Sequence, residues 1–168
     1  MRALPWVDGI DNFYWDIRPR PEYGTVEIRV CDAPLTLEKA VRIAAFAQTL
    51  ARYILEERPY QLSDDKYNLY RYNCFQASKL GFDAMLIDPG TFQDYSLTDD
   101  ILATLKAIES HSKVLNTVEF LDKLAIDVEH QQNDAVWLRK LFTEGESLHN
   151  IVYLSGHLLA GKITEKYN

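Results

Sequence analysis

Two neighbouring runs of alternating residues near the start of the chain constrain its fold most strongly. From Thr25 to Cys31, apolar residues at every second position alternate with polar residues that include Glu27 and Arg29. From Phe13 to Arg18, aromatic and aliphatic residues alternate with polar residues in the same way. This spacing is typical of β-strands that have one apolar and one polar face.

The two runs together predict a β-hairpin over residues 12–32. If they pair antiparallel across the Pro19 to Gly24 loop, with their apolar faces on a common core, the opposite face carries only polar side chains. Four charged residues then share that face: Asp16, Arg18, Glu27 and Arg29. Such a face could hold a metal ion together with anionic groups.

The residue types on this face suit phosphate and metal chemistry. Glu27 supplies a hard oxygen ligand for Mg²⁺, which takes one or two carboxylates and completes its shell with water and phosphate oxygens. Arg18 and Arg29 present planar groups that hold phosphate or carboxylate through two hydrogen bonds. Exposed hairpins also use opposite charges as simple cross-strand ion pairs. The alternation by itself leaves both interpretations open.

Two longer motifs resemble one enzyme family. The segment YWDIRP, residues 14–19, is followed by PEYGTVEIRVCDAPLT, residues 21–36, and a second block reads RYNCFQASKLGFDAMLIDP, residues 71–89. Both resemble the carboxylate-amine ligases of the bacterial glutamate–cysteine ligase type 2 family, which is related to glutamine synthetase. The resemblance extends to about Gly156, and it corresponds to about the C-terminal half of a family member.

The resemblance implies roles for three residues. Glu27 matches a Mg²⁺ ligand close to the transferred phosphate, and Arg29 matches an arginine that contacts the acid substrate. Arg18 matches an arginine that holds the terminal phosphates of the nucleotide. Both arginines are therefore expected to act in catalysis. The resemblance assigns no role to five other polar residues of the motifs: Asp16, Cys31, Arg71, Asn73 and Lys79.

The resemblance also implies a fold and a reaction. The expected fold is α+β, with antiparallel strands packed with several helices as a partial glutamine synthetase-like catalytic fold. The expected reaction uses ATP and Mg²⁺ to couple a carboxylate, that of glutamate, to an amine such as cysteine. An acyl phosphate forms first, and the amine then displaces phosphate, which leaves an amide and ADP.

One part of the family pattern is missing from the chain. In this family further metal-binding carboxylates come from N-terminal strands with a Gly-x-Glu-x-Glu pattern, whereas residues 1–12 contain only Asp8 and Asp11 as acids. We therefore expect ligase activity to require a missing N-terminal half, and we expect the chain to form a homo-oligomer or to associate with a chain that supplies that half. The alternative is a noncatalytic remnant that serves as a partner-binding or oligomerisation module.

The rest of the chain is predicted to be helical around a second small hairpin, and residues 1–168 are expected to form one domain. Thr36 is expected to cap a helix that ends near Glu57, and Ser63 to open a helix that stops at Gly81. The small hairpin is expected over residues 83–95 because turn residues 88–90 lie between two short β-prone runs. Further helices are predicted from Thr98 to Ser110 and over residues 116–131, 134–142 and 147–159.

Composition excludes several classes of function. The chain has 18 basic and 25 acidic residues and a net charge of -7, which argues against nucleic acid as a partner. The longest apolar helix, residues 41–55, contains charged residues that argue against a membrane span, and we expect a cytoplasmic protein. The two cysteines and four histidines show no disulfide or zinc-binding pattern.

Overall fold

The computed structural model describes residues 16–59 and 66–163. The chain divides into two compact units, with the boundary between Pro34 and Leu35. Strands and helices are both present, which confirms the α+β class. Phe13 and Trp15, the aromatic residues of the first predicted strand, lie outside the described residues. The organisation of residues 1–168 as one domain stays a prediction.

The first unit contains an antiparallel hairpin formed by β1 (Ile17–Arg20) and β2 (Thr25–Ile28). Its turn is closed by hydrogen bonds from Tyr23 N to Arg20 O, at 3.1 Å, and from Gly24 N to Pro21 O, at 3.2 Å. Gly24 has a φ of 62°, which glycine adopts without steric cost. The hairpin was predicted correctly, and its turn is shorter than the predicted loop.

β1 extends through Pro19 to Arg20, two residues that were predicted to belong to the loop. Proline has no N–H group, but it is tolerated in an edge strand because no ladder hydrogen bond is lost there. Both strands of a two-stranded sheet are edges. The extension keeps Arg20 in register, opposite Thr25.

The second unit contains seven α-helices and a second two-stranded sheet within the described residues. None of these helices is both long and apolar enough to cross a lipid bilayer. The elements follow in the order α1 (Leu37–Glu57), α2 (Tyr67–Leu80), β3 (Met85–Ile87), β4 (Asp94–Ser96), α3 (Leu97–Ala107), α4 (Glu109–Leu115), α5 (Val118–Glu129), α6 (Asp134–Thr143) and α7 (Leu148–Leu159).

The predicted bounds of α1 are confirmed. The Thr36 hydroxyl accepts a hydrogen bond from Lys39 N at 3.1 Å, as expected of an N-cap residue. At the other end, Arg58 adopts a left-handed conformation with a φ of 47°. Pro59 follows it and cannot continue the helix.

The predicted ends of α2 and α3 need correction. Gly81 follows α2 with a φ of 61° and a ψ of −134°, which is not the left-handed helical conformation expected there. Ser96, not Thr98, caps α3 by accepting a hydrogen bond from Asp99 N at 3.3 Å. Thr98 instead donates to Phe82 O at 3.0 Å. The residues that were expected to open α2, Ser63 among them, lie outside the described residues.

α4 was not predicted as a separate helix. The expected helix ended at Ser110, whereas the chain bends at Ile108 and continues as α4 until Asn116, which has a φ of 56°. Asparagine tolerates this left-handed conformation better than other side chains do. Ile108 is fully buried, so the bend is part of the core.

The core of the second unit lies between α1, α5 and the residues around α4. Ala45, Ile108 and Leu121 form its buried centre, and partly buried aromatic and aliphatic side chains pack around them. Within this core the hydroxyl groups of Thr49 and Thr117 are 2.8 Å apart and share a hydrogen bond. Both threonines are buried, so this pair satisfies polar groups that have little access to water.

The side chain of Asn73 attaches α2 to the small hairpin. Asn73 Nδ2 donates to Ile87 O at 2.9 Å, and Asn73 Oδ1 accepts from Ile87 N at 3.0 Å. One amide therefore satisfies both backbone groups of a strand residue. Beyond Ile87, the turn is held by Asp88, whose carboxylate accepts from Gly90 N and Thr91 N.

We predict that Asn73→Ala destabilises the chain by about 1–3 kcal/mol, because it leaves two partly buried backbone groups without their partner. Urea unfolding should measure the loss. Gln76→Ala on the same helix removes only an exposed hydrogen bond to Tyr72 and should change stability by less than about 0.5 kcal/mol. Equal losses in the two variants would contradict this role of Asn73.

Candidate functional site

The strand register brings the predicted site residues together on one face of the first hairpin. Arg18 lies directly opposite Glu27, and Arg20 lies opposite Thr25. The pairing continues past the strand end, where Arg29 N donates to the backbone oxygen of Asp16 at 2.7 Å. Side chains two positions apart point to the same side of a strand. The polar face proposed from the alternation is therefore present.

Arg18 and Glu27 form the shortest ion pair of this face that we describe. Arg18 Nε and Nη2 both donate to Glu27 Oε2, at 2.9 and 2.6 Å. The side chain of Arg18 is 14% exposed and that of Glu27 is 38% exposed. The pair is therefore shielded in part, while the carboxylate keeps access to solvent.

Two further arginines surround the same carboxylate. Arg29 Nε lies 3.6 Å from Glu27 Oε1, the oxygen that Arg18 does not bind in these hydrogen bonds. Arg20 Nε lies 4.0 Å from Glu27 Oε2 and 3.4 Å from Glu22 Oε1. We did not predict Arg20 as a site residue, because the sequence analysis placed it in the loop. Its position two residues after Arg18 was the signal that could have identified it.

The arginines change the acidity of Glu27. Hydrogen bonds from Arg18 lower the pKa of Glu27 below its usual range, and the charges of Arg18, Arg29 and Arg20 lower it further, while partial desolvation opposes the shift. The carboxylate of Glu27 therefore stays ionised to a lower pH than that of an ordinary glutamate. An ionised, oriented carboxylate beside several guanidinium groups is an arrangement that suits a metal-bound phosphate.

The other face of the hairpin remains exposed. Ile17, Val26 and Ile28 are 59%, 63% and 44% exposed, although the sequence analysis expected this face to lie on a core. A two-stranded hairpin has too little surface to bury one of its own faces. The alternation was correct, but the expected burial is not found for these side chains.

Glu27 can serve as one ligand of a Mg²⁺ ion, but it cannot form a metal site alone. Within residues 16–59 and 66–163, no group of three or more histidine, cysteine and acidic residues is placed to hold a metal. Mg²⁺ commonly binds through one or two carboxylates and takes its other ligands from phosphates and water. The described part of the face therefore fits a Mg²⁺ ion that arrives with a phosphate group.

The structure gives the surroundings of the five motif residues to which the resemblance assigned no role. Cys31 is exposed, and the backbone of Asp16 extends the strand pairing. In the second unit, Asn73 has the structural role described above. Lys79 lies over the ring of Phe75, with Nζ 5.9 Å from its centre, and Arg71 is exposed on α2.

The second unit contains two adjoining cavities. Their volumes are about 440 and 230 Å³, and both are lined by Lys39, Arg42 and Asp127. Lys39 forms an ion pair with Asp134, and Arg42 forms one with Asp127. These pairs join α1 to α6 and α5, so the charges in the cavities stabilise helix packing. None of the three predicted site residues lines either cavity.

We predict that Arg18→Gln raises the pKa of Glu27 towards its ordinary value. Folding lowers this pKa, so the ion pair stabilises the hairpin above the usual glutamate value of 4.5 and this stabilisation is lost as the pH falls through the lowered pKa. A carboxyl ¹³C NMR titration of Glu27 measures the change. Lys123→Gln, which removes the partner of Glu119, should leave the titration of Glu27 unchanged. The same Glu27 pKa in the parent chain and in Arg18→Gln would contradict the ion pair.

The hairpin lies in a part of the chain that matches a known protein family. The sequence profile of glutamate-cysteine ligase family 2 matches residues 1–154. A Legionella pneumophila (strain Paris) protein with the provisional name glutamate–cysteine ligase 2-2 is 46% identical over 146 residues. A strain Corby protein with the provisional name glutamate–cysteine ligase 2-1 is 44% identical over the same length.

The match covers most of this chain but a smaller part of each relative. The aligned residues make up 87% of this chain and 38% of the length of each of these relatives. The family match includes the whole polar hairpin face and most of the helical unit. The chain therefore belongs to glutamate-cysteine ligase family 2.

Proposed function

We propose that this chain contributes the Arg18, Glu27 and Arg29 face to an ATP-dependent carboxylate–amine ligase of the glutamate–cysteine ligase type. The observation that supports this proposal is the convergence of Arg18 and Arg29 on one ionised carboxylate, in a chain that belongs to this family. The resulting enzyme would join the carboxylate of glutamate to an amine, with cysteine as the amine that the family name indicates.

Arg18 is proposed to hold the terminal phosphates of ATP. A guanidinium group has five N–H donors in a fixed planar arrangement, so Arg18 can bind phosphate oxygens and still donate to Glu27. Its partial burial strengthens such contacts, because charge interactions are less screened away from bulk water. Arg29, on the other side of Glu27, is proposed to orient the carboxylate of the acid substrate.

Glu27 is proposed to bind Mg²⁺ that accompanies the nucleotide. When bound, the ion would neutralise charge on the phosphates during their transfer. Glu27 Oε1 is the better placed oxygen, since Oε2 accepts both hydrogen bonds from Arg18. Arg18 therefore fixes the orientation of the carboxylate that would bind the ion.

The proposed reaction has two steps, and the residues of this face act mainly by positioning. In the first step an oxygen of the substrate carboxylate attacks the γ-phosphorus, the bond to the β-phosphate oxygen breaks, and an acyl phosphate and ADP form. In the second step the amine nitrogen attacks the acyl carbon, phosphate leaves, and the nitrogen loses a proton. Positive charge held in place around the phosphates lowers both barriers.

The complete enzyme is proposed to need residues beyond those aligned here. The aligned segment corresponds to 38% of the relatives' length, and within residues 16–59 and 66–163 no group of three or more histidine, cysteine and acidic residues is placed to hold a metal. Additional carboxylates would come from the segment of the relatives that this chain does not match. That segment could be joined to this chain or supplied by a partner chain in the cytoplasm, where ATP is available.

A partner-binding or oligomerisation module is the second candidate function. The exposed apolar residues on the opposite face of the hairpin, Ile17, Val26 and Ile28, favour it, because an exposed apolar sheet face commonly binds another surface. The two candidates differ in one measurable property: only the ligase consumes ATP.

The proposed function is tested by combining the full chain with the unmatched segment of a Legionella relative. We expect ADP release that depends on glutamate and on an amine, with one amide formed per ADP. A fusion that replaces the relative's matching segment with this chain tests the case in which two separate chains do not associate. Two controls are needed: the mixed chains must associate, and the fusion must fold. If both controls succeed and neither preparation releases ADP with any amine, the noncatalytic module is the correct function.

We predict that Glu27→Gln lowers kcat about 100- to 1,000-fold in this assay, the scale found when one transition-state contact is removed. Glutamine keeps an oxygen that can accept from Arg18, so the hairpin should still form, which amide NMR shifts of the hairpin can verify. Glu119→Gln, a matched change on the exposed surface of α5, should leave kcat unchanged. Full activity of Glu27→Gln would contradict the proposed role.

A further inference from the structure

We infer that Arg20 is an additional phosphate-binding residue of this face, and that Arg18 and Arg20 hold successive phosphate groups of the nucleotide. This inference rests on the proposed function, because it concerns the same nucleotide. It assigns a ligand to a residue for which the sequence motifs implied no role.

The first argument is geometric. Arg18 and Arg20 are two positions apart on β1, with side chains on the face that contains Glu27. Two steps along a strand cover about 6.6 Å, which is comparable to the extent of a polyphosphate tail. A tail that follows the strand would therefore meet both guanidinium groups in turn.

The second argument is the concentration of hydrogen-bond donors. Three guanidinium groups, from Arg18, Arg20 and Arg29, lie within 4.0 Å of a single carboxylate. Guanidinium groups bind phosphate oxygens through charge-assisted hydrogen bonds. A polyphosphate group bound beside Glu27 would therefore lie within reach of more than one of them.

The third argument is the position of Arg20 between two acids. Arg20 Nε is closer to Glu22, at 3.4 Å, than to Glu27, at 4.0 Å. The side chain of Arg20 is 29% exposed, compared with 14% for Arg18. Arg20 is therefore the more accessible of the two, and it can exchange its contact with the turn residue Glu22 for a phosphate oxygen. Glu22 would therefore compete with a phosphate group for Arg20.

The inference is tested by calorimetric binding of three probes to the full chain in the presence of Mg²⁺: inorganic tripolyphosphate, pyrophosphate and orthophosphate. Arg20→Ala should weaken tripolyphosphate binding about tenfold or more, as expected for the loss of a charge-assisted hydrogen bond, and should change orthophosphate binding by less than about twofold. Arg18→Ala should weaken binding of all three probes. Arg139→Ala, which removes an exposed arginine from α6, is the matched control and should have no effect.

A second variant keeps the test decisive if Arg20→Ala disturbs the hairpin. Glu22→Gln removes the competing charge and leaves Arg20 intact, so tripolyphosphate binding should become stronger, by about two- to threefold for an exposed ion pair. Unchanged binding in Glu22→Gln would overturn the inference.

The outcomes separate this inference from the proposed function. If Arg18→Ala weakens tripolyphosphate binding and Arg20→Ala does not, the inference is wrong while the phosphate-binding face remains. If the unaltered chain does not bind tripolyphosphate, or if Arg18→Ala has no effect, the phosphate-binding face itself is wrong. Binding that depends on Arg20, without ADP release in the ligase assay, would support the inference and contradict the proposed ligase.

Discussion

The cross-strand contact between Arg18 and Glu27 is the interaction on which the candidate site depends. It orients the Glu27 carboxylate, which lies opposite Arg18 in the strand register. The same register places Arg29 and Arg20 close to this carboxylate. A shift of the register by one residue would turn the charged side chains of one strand away from those of the other. The turn that ends at Gly24 fixes the register. It therefore determines whether Arg18 lies opposite Glu27.

This cluster contributes little to stability and is better explained by binding. Ion pairs with solvent access contribute little to stability, and Glu27 remains 38% exposed. Among the described residues, the buried side chains lie in the second unit, and they include Ile108 and the Thr49–Thr117 pair. Several guanidinium groups around one partly exposed carboxylate are an arrangement that suits the binding of an anion.

Much of the local structure was predictable because it depends on short-range chemistry. Period-two alternation predicted the hairpin, and the Thr36 cap predicted the start of α1. Features that depend on distant neighbours were missed or misplaced. Arg20 was placed in the loop that begins at Pro19, whereas the structure has it in β1. Thr98 was expected to cap α3, whereas its hydroxyl donates to the backbone of Phe82, 16 residues away. The division of the helix at Ile108 follows from the packing of this buried residue in the core. No residue pattern in the local sequence predicted it.

The sequence by itself determined the family, the α+β class and the position of the three candidate site residues, Arg18, Glu27 and Arg29, on the polar face, because each depends on residue order and on strand periodicity. Only the tertiary structure decided how these residues are paired: Arg18 with both of its contacts on one oxygen of Glu27, Arg29 near the other oxygen, and Arg20 between Glu22 and Glu27. It also decided that Asn73 supports the small hairpin. The reason is that side-chain pairing depends on distances across strands and between helices, and those distances exist only once the chain has folded.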